Sequence, residues 1–291
     1  MKQKEILKNL FSGDKQLPSI PSLYSELRKL TNDPFTSNKK ISDLIIKDVS
    51  MVTKILRLSN SALYAKSQEI KTLANAITYL GTATLENMIL EISLVKMFDI
   101  NDKDIPEFDI TVFWEHSLST ACFSKLISKK LNLPENENYY LGGLLHDIGK
   151  LAIYHFYPKL FKDIVLLQLK GVKGIDAERK ILGVDHTEIG VFLAKKWNFD
   201  KDIVESIGLH HENENSIGLM PALIRISNMF SKAAGLCFPW DDVAFSIVDD
   251  PSWAVVTKNI KSKIDVERLT FEISEEAETI KKTVKDLLSS K

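Results

Sequence analysis

The chain is poor in cysteine, with two in 291 residues. Neither Cys122 nor Cys237 sits in the spacing of a zinc or redox site. A disulfide scaffold and a thiolate metal centre are therefore excluded, and two reduced thiols of a cytoplasmic protein are expected. An excess of charge is missing too. The 38 basic and 39 acidic residues leave a formal net charge of -1, so no global field draws the chain to nucleic acid or to an anionic membrane. Any anion it binds must be held locally. No stretch approaches the ~18 uninterrupted apolar residues of a membrane helix, and the opening "MKQKEILKNLFSGDKQ" lacks the apolar core of a signal peptide. Period-two alternation bounded by turn pairs is also absent, which leaves strands without support and predicts an all-α fold.

What the sequence has is helical spacing. Ile6, Leu7, Leu10 and Phe11 share a face before Gly13, and Leu23, Leu27 and Leu30 do so before Asp33 and Pro34. Ile41, Leu44 and Ile45 open a third helix, and Val52, Ile55, Leu56 and Leu63 a fourth. Leu73, Ile77 and Leu80 then run into Gly81 as a stop, and Leu85, Met88, Ile89 and Ile92 carry the next stripe. Residues 1–100 thus read as an N-terminal helical lobe. The polar stretch "DINDKDIPEFD", residues 99–109, marks a boundary, and residues 101–240 form a second helical lobe holding all six histidines. In residues 241–291, an irregular aromatic segment around "FPWDDVAFSIVDDPSW" leads to a charged C-terminal helix. Ile273, Ala277, Ile280, Val284 and Leu287 form its stripe, which reads as a face docked on the protein's own core. A dimer seam is the other reading, and the oligomeric state stays open.

Within the second lobe, "LGGLLHDIGKL", residues 141–151, places His146, Asp147 and Lys150 where the surrounding leucines ask for burial. Burying a charge is costly unless something compensates it. His116 precedes an apolar helix. Asp185, with Glu188 three residues on, resembles a helix start that puts His186 in the first turn. His210 and His211 follow Ile203 and Ile207 on one face, near a helix end. Each imidazole alone is ordinarily a hydrogen-bonded core residue. Five at inward positions with one carboxylate favour a metal site, and the donor set suits iron, zinc, nickel or manganese better than calcium. His155 fits no such pattern and is read as structural.

"HDIGK", with "FWEHS" upstream and "GVDHTEIG" and "IGLHHE" downstream, resembles the HD superfamily of metal-dependent phosphohydrolases. The layout is closer still to the HDOD family of bacterial signalling proteins. "LPSIPSLYSEL", "DVSMVTKILRLSNSALY" and "AITYLGTATLENMIL" are similar to that family's opening helices, and the resemblance runs over about residues 17–240. It implies two helical lobes, the second an HD-domain-like bundle. His116, His146, Asp147, His186, His210 and His211 would hold one or two divalent transition-metal ions (Fe, Mn, Zn or Ni), with Asp147 as the bridge. Asp147 and Lys150 are the catalytic residues it implies, Lys150 as a point charge on a phosphate oxygen.

Two positions depart from the family pattern. Asn228, in "LIRISNMF", stands where HD enzymes carry a metal-binding aspartate, and Val112 stands where some carry a glutamate. Asn228 stays in the implied ligand set as a neutral oxygen donor. Asp147 is then the single anionic ligand unless Asp185, Glu115 or Glu212 turns inward. Two divalent ions against one carboxylate leave about three uncompensated positive charges, which favours one ion or a weakly held second. The "GYP" signature of the cyclic-dinucleotide phosphodiesterases is missing after "HHE". The resemblance therefore implies a signal-transduction output module with an HD-type metal pocket and weak or no turnover. The alternatives are a metal-dependent phosphohydrolase or phosphodiesterase acting on a nucleotide or cyclic dinucleotide, and a helical scaffold with hydrogen-bonded core histidines. The partners implied are a phosphorylated small molecule and a signalling protein, with no nucleic acid and no membrane.

Overall fold

A computed structural model of the chain describes residues 6–7, 9, 11, 19–61, 64, 69–98, 105, 108–212, 217–241, 245–258, 260 and 264–288. These residues form helices joined by turns, with no strand among them, so the fold is all-α. The chain divides into two compact units, Ser19–Asp99 with Thr279–Lys291, and Met1–Pro18 with Ile100–Glu278. Leu10, Gly13, Leu63 and most of the 99–109 stretch lie outside the described residues. Among the described residues no helix is long and apolar enough to cross a membrane.

The smaller unit contains α1 (Ser22–Thr31), α2 (Asn38–Ile45), α3 (Val49–Ser59) and α4 (Leu73–Met97). Three of these start on a side-chain cap that satisfies a first-turn amide. Ser37 accepts from Lys40 N, Asp48 from Met51 N, and Thr72 from Asn75 N. The apolar faces of α1, α2 and α3 meet α4 or one another and bury Leu27, Ile41, Ile45, Ile55 and Leu85. Gly81 adopts φ 78°, ψ 167° inside α4 and kinks it into two helical pieces, at the expected stop.

The larger unit contains α5 (Ile110–Lys130), α6 (Asn138–Leu145), α7 (Ile148–Phe156), α8 (Pro158–Gln168) and α9 (Gly174–Leu182). It continues with α10 (His186–Lys196), α11 (Lys201–Leu209), α12 (Leu219–Ala233), α13 (Ser252–Lys258) and α14 (Val266–Ser274). Helix α5 is buried along most of its length between α6 and α12. Two glycines allow the close approaches that build the site. A Cβ on Gly143 would lie 2.6 Å from Ala121 Cα, so α6 touches the backbone of α5. A Cβ on Gly149 would collide with the carbonyl of His186, so α7 rests directly on the start of α10.

At the C-terminal end the structure corrects one expectation. The stripe from Ile273 to Leu287 lies on two helices, α14 and α15 (Ala277–Leu288), not on one. The Glu276 amide bonds to the carbonyl of Ile273, three residues back, which tightens the last turn of α14 and ends it. The stripe records burial, and Ile273, Ile280 and Val284 are indeed buried. It does not record backbone continuity.

Candidate metal centre

All the imidazoles singled out by sequence except His155 come together in the larger unit. His116 lies inside α5, about two turns from its start, rather than ahead of a helix as the sequence suggests. His146 and Asp147 form the turn between α6 and α7. His186 is the first residue of α10, behind a complete capping box. Asp185 Oδ1 accepts from the amides of Thr187 and Glu188 at 2.9 and 3.1 Å, and Glu188 Oε2 accepts from Asp185 N at 3.0 Å. His210 and His211 follow α11. His155 is exposed on α7, against the edge of Phe156, and lies outside the cluster.

Asp147 is the hub. Its Oδ2 lies 3.4 Å from His146 Nε2 and 3.7 Å from His116 Nε2. Its Oδ1 lies 3.2 Å from His186 Nε2 and 3.6 Å from His210 Nε2. Two groups of potential donors thus share one carboxylate: His116, His146 and Asp147, and Asp147, His186, His210 and His211. Within each, one ligand atom per residue lies within 4.8 Å of the others.

Three of the rings have their far nitrogens committed to backbone carbonyls. His116 Nδ1 is 2.8 Å from Leu236 O, His146 Nδ1 2.7 Å from Gly143 O, and His210 Nδ1 2.9 Å from Ile207 O. A carbonyl oxygen can only accept, so each Nδ1 is the donor, and a neutral ring then presents a bare lone pair at Nε2. Burial lowers the pKa of His116, His146 and His210 and so favours that neutral form. His116 Nε2 and His146 Nε2 consequently face each other at 3.2 Å as two lone pairs. His210 Nε2, Asp147 Oδ1 and Asn228 Oδ1 are buried without a hydrogen bond. Neutral imidazole lone pairs converging on a carboxylate are what a cation satisfies, and the residues present fit one.

His186 differs. Its Nδ1 is 2.7 Å from Glu178 Oε2, which also accepts from His186 N at 2.8 Å. Burial alone would lower its pKa, but the Glu178 and Asp147 carboxylates reverse this and raise it to about 9. For Asp147, burial favours the neutral acid, but Lys150 and His146 outweigh it and hold the carboxyl well below its ordinary range. Lys150 Nζ donates to Asp147 Oδ2 at 2.7 Å.

Glu178 and Asp241 are the site residues that sequence reasoning missed. Glu178 lies outside every histidine-bearing motif and Asp241 lies in the irregular aromatic segment, and no spacing to a histidine marks either. Of the carboxylates that were considered, Asp185 is occupied as the α10 cap and by Arg179 at 2.7 Å, Glu212 is exposed, and Glu115 joins neither donor group. Asn228 borders the centre through a cleft of about 800 Å³, together with Lys150, His186, His210 and His211.

His211 is held through its backbone. Arg225 Nη1 donates to His211 O at 2.8 Å, while Arg225 Nε and Nη2 reach the carboxylate of Asp250 at 3.0 and 2.9 Å. Arg225→Met is expected to weaken metal binding in the group containing His211 by about 10- to 100-fold, the usual cost of losing an outer partner. The His116–His146 group should be unaffected. A two-site metal titration measures both, and equal losses at the two would assign Arg225 a general structural role.

An all-helical unit with a histidine–aspartate pair at a helix–helix turn, ringed by further imidazoles, defines a domain of the HD type. The chain belongs to the HDOD domain family, which matches residues 17–213. The crystal structure of an HDOD domain protein of unknown function from Geobacter sulfurreducens is similar over 98% of both chains, with 25% identity and a TM-score of 0.85. A structure from Shewanella amazonensis, named a candidate phosphohydrolase, shares the fold at 22% identity, with a TM-score of 0.72 over 98% of this chain and 97% of that one. An uncharacterized protein of Treponema pallidum is 25% identical over 199 residues, 67% of this chain and 37% of its own length. Ribonuclease Y of Onion yellows phytoplasma is 30% identical over 122 residues, 41% of this chain and 17% of its own length. The chain therefore spans well under two thirds of these curated relatives.

Proposed function

We propose that the protein is a signal-transduction output module whose HD-type pocket binds divalent transition-metal ions and, beside them, a phosphorylated ligand, with weak or no turnover. The observation that carries this is the convergence of four Nε2 atoms on the two oxygens of Asp147, with the far nitrogens of His116, His146 and His210 tied to carbonyls and that of His186 to Glu178. A scaffold with merely hydrogen-bonded histidines would not aim bare lone pairs at one another. His116, His146 and Asp147 would hold one ion, and Asp147, His186, His210 and His211 the other, with Asn228 as a neutral oxygen donor at the cleft. Glu178 changes the charge count, because it adds a carboxylate in contact with His186 and eases the second ion. When bound, such a cation polarises a phosphoryl oxygen and acidifies a water molecule to near pH 7. Lys150, at the border of the cleft, then stands ready to bind a phosphate oxygen.

A second reading, a working phosphohydrolase, is favoured by the completeness of both donor groups. The similarity to ribonuclease Y supports phosphodiester chemistry in the same way. Against it stands the missing carboxylate at Asn228. Elemental analysis of protein purified without a histidine tag tests the shared part of both readings. At least one equivalent of transition metal is expected, and less than a tenth would remove both. A turnover screen with Mn or Fe on bis-p-nitrophenyl phosphate, nucleotides and cyclic dinucleotides then separates them. Turnover that vanishes in His146→Ala and Asp147→Ala would establish the enzyme. Asn228→Asp is expected to tighten metal binding, because it adds an anionic oxygen. An unchanged dissociation constant would place Asn228 outside the ligand set.

A further inference from the structure

After α12, none of the described residues 238–241 joins either donor group, yet this stretch supplies a wall of the cleft. Trp240 borders the same 800 Å³ space as Lys150, His186, His210 and His211. Its indole is nearly parallel to Phe238, with ring centres 4.8 Å apart and planes 7° apart. Phe238 stacks in turn on Phe108 at 5.0 Å and 25°. Phe108 is fixed by the edge of Phe161 at 4.8 Å and by Tyr154 at 4.5 Å. Trp240 is thus the outermost plate of an aromatic column rooted in the core. Phe238 is buried, whereas Trp240 is half-exposed towards the cleft.

The turn that presents this plate is pinned by Asp241, whose Oδ2 accepts from Phe238 N at 3.0 Å. Asp241 interacts electrostatically with Lys150, Lys232 and His116, which ties the Trp240 turn to the metal centre. Lys150, Lys173 and Lys232 border the same cleft and make part of it cationic. A space of this size is far larger than inorganic phosphate needs and falls within the range of sites for whole small molecules.

We infer that Trp240 is a stacking seat and that the ligand is a nucleoside phosphate, with its base on the indole and its phosphate towards Lys150 and the imidazoles. This rests on the phosphate-binding pocket proposed above and names the class of ligand it takes. The seat is tolerant of sequence, because every base has a π-face and the column offers a plane rather than a set of hydrogen bonds.

The test is calorimetric titration of the full chain, loaded with Mn, with inorganic phosphate, ribose 5-phosphate, AMP, GMP, CMP and UMP. The nucleotides are expected to bind about 10-fold or more tightly than ribose 5-phosphate, the scale on which base stacking acts, with purines ahead of pyrimidines. Trp240→Ala should bring the nucleotides down to the level of ribose 5-phosphate and leave ribose 5-phosphate unchanged. Trp240→Phe should keep most of the gain. Equal affinities for nucleotides and ribose 5-phosphate in the unaltered protein would overturn the inference, and that comparison needs no variant. A Trp240→Ala loss shared equally by ribose 5-phosphate would overturn it as well, since the residue would then be structural. Absence of binding by every phosphate would also overturn it, and the metal content of the same sample would say whether the metal-centre reading falls with it.

Discussion

Asp147→Ala is expected to strip the protein of both cations, whereas His116→Ala and His186→Ala should each remove one and spare the other. The asymmetry follows from the sharing of one carboxylate. Asp147 presents Oδ2 to His116 and His146 and Oδ1 to His186 and His210, and among the described residues it is the one side chain common to both groups. It is also the anionic member of each group, and neutral donors alone leave the charge of a divalent ion uncompensated. The change has a second cost. Lys150 Nζ sits 2.7 Å from Asp147 Oδ2 with its side chain 18% exposed, and loses its counter-charge. Breaking a pair this buried costs on the order of 3–5 kcal/mol, so the variant should melt lower even in chelator. Asp147→Asn keeps the shape and an oxygen for Lys150 to donate to, though not the charge, and should still lose the metal. Metal analysis of all four variants, beside circular dichroism to verify folding, decides the matter. Retention of one full equivalent in Asp147→Asn would mean that the two groups do not depend on a common bridge.

Much of this centre was legible in the sequence because its signals are local. The capping box predicts from Asp185 and Glu188 alone that His186 opens a helix. Positions 203, 207, 210 and 211 put both late histidines at a helix end facing inward. Gly81 marks its kink because a left-handed φ excludes most other residues. Glu178 was illegible for the opposite reason. It reaches His186 only because α9 folds back ahead of α10, and eight residues of separation with an intervening turn leave no periodic trace. The same holds for Trp240 and Asp241, whose place beside the centre depends on Phe238 stacking on Phe108, 130 residues earlier in the chain. The break between α14 and α15 was missed because apolar spacing is blind to a single tightened turn.

Glu178 also sets the sign of a pH effect. Loading with metal is expected to stabilise the protein by about 4 kcal/mol at an ion concentration a thousand times the dissociation constant, by mass action alone. The difference between loaded and chelated protein should grow as pH rises from 6.5 to 9. In the metal-free protein the pKa of His186 is raised from 6.5 to about 9. The stability contributed by its proton is therefore complete below pH 6.5 and is lost as pH climbs through 9. The metal-bound form has the opposite dependence, because the imidazole must release that proton before its Nε2 can serve as a donor. His116, His146, His210 and His211 all have pKa values held below the ordinary 6.5, chiefly by burial, so they are already neutral across this window and do not mask the effect. Thermal melts at pH 6.5, 7.5 and 9, with and without chelator, should show the gap in melting temperature widening. Glu178→Gln should flatten that dependence, since the carboxylate that raises the pKa is gone while the hydrogen-bonding oxygen remains. A gap that stays constant with pH in the unaltered protein would mean that His186 gives up no proton on binding, and would remove it from the ligand set.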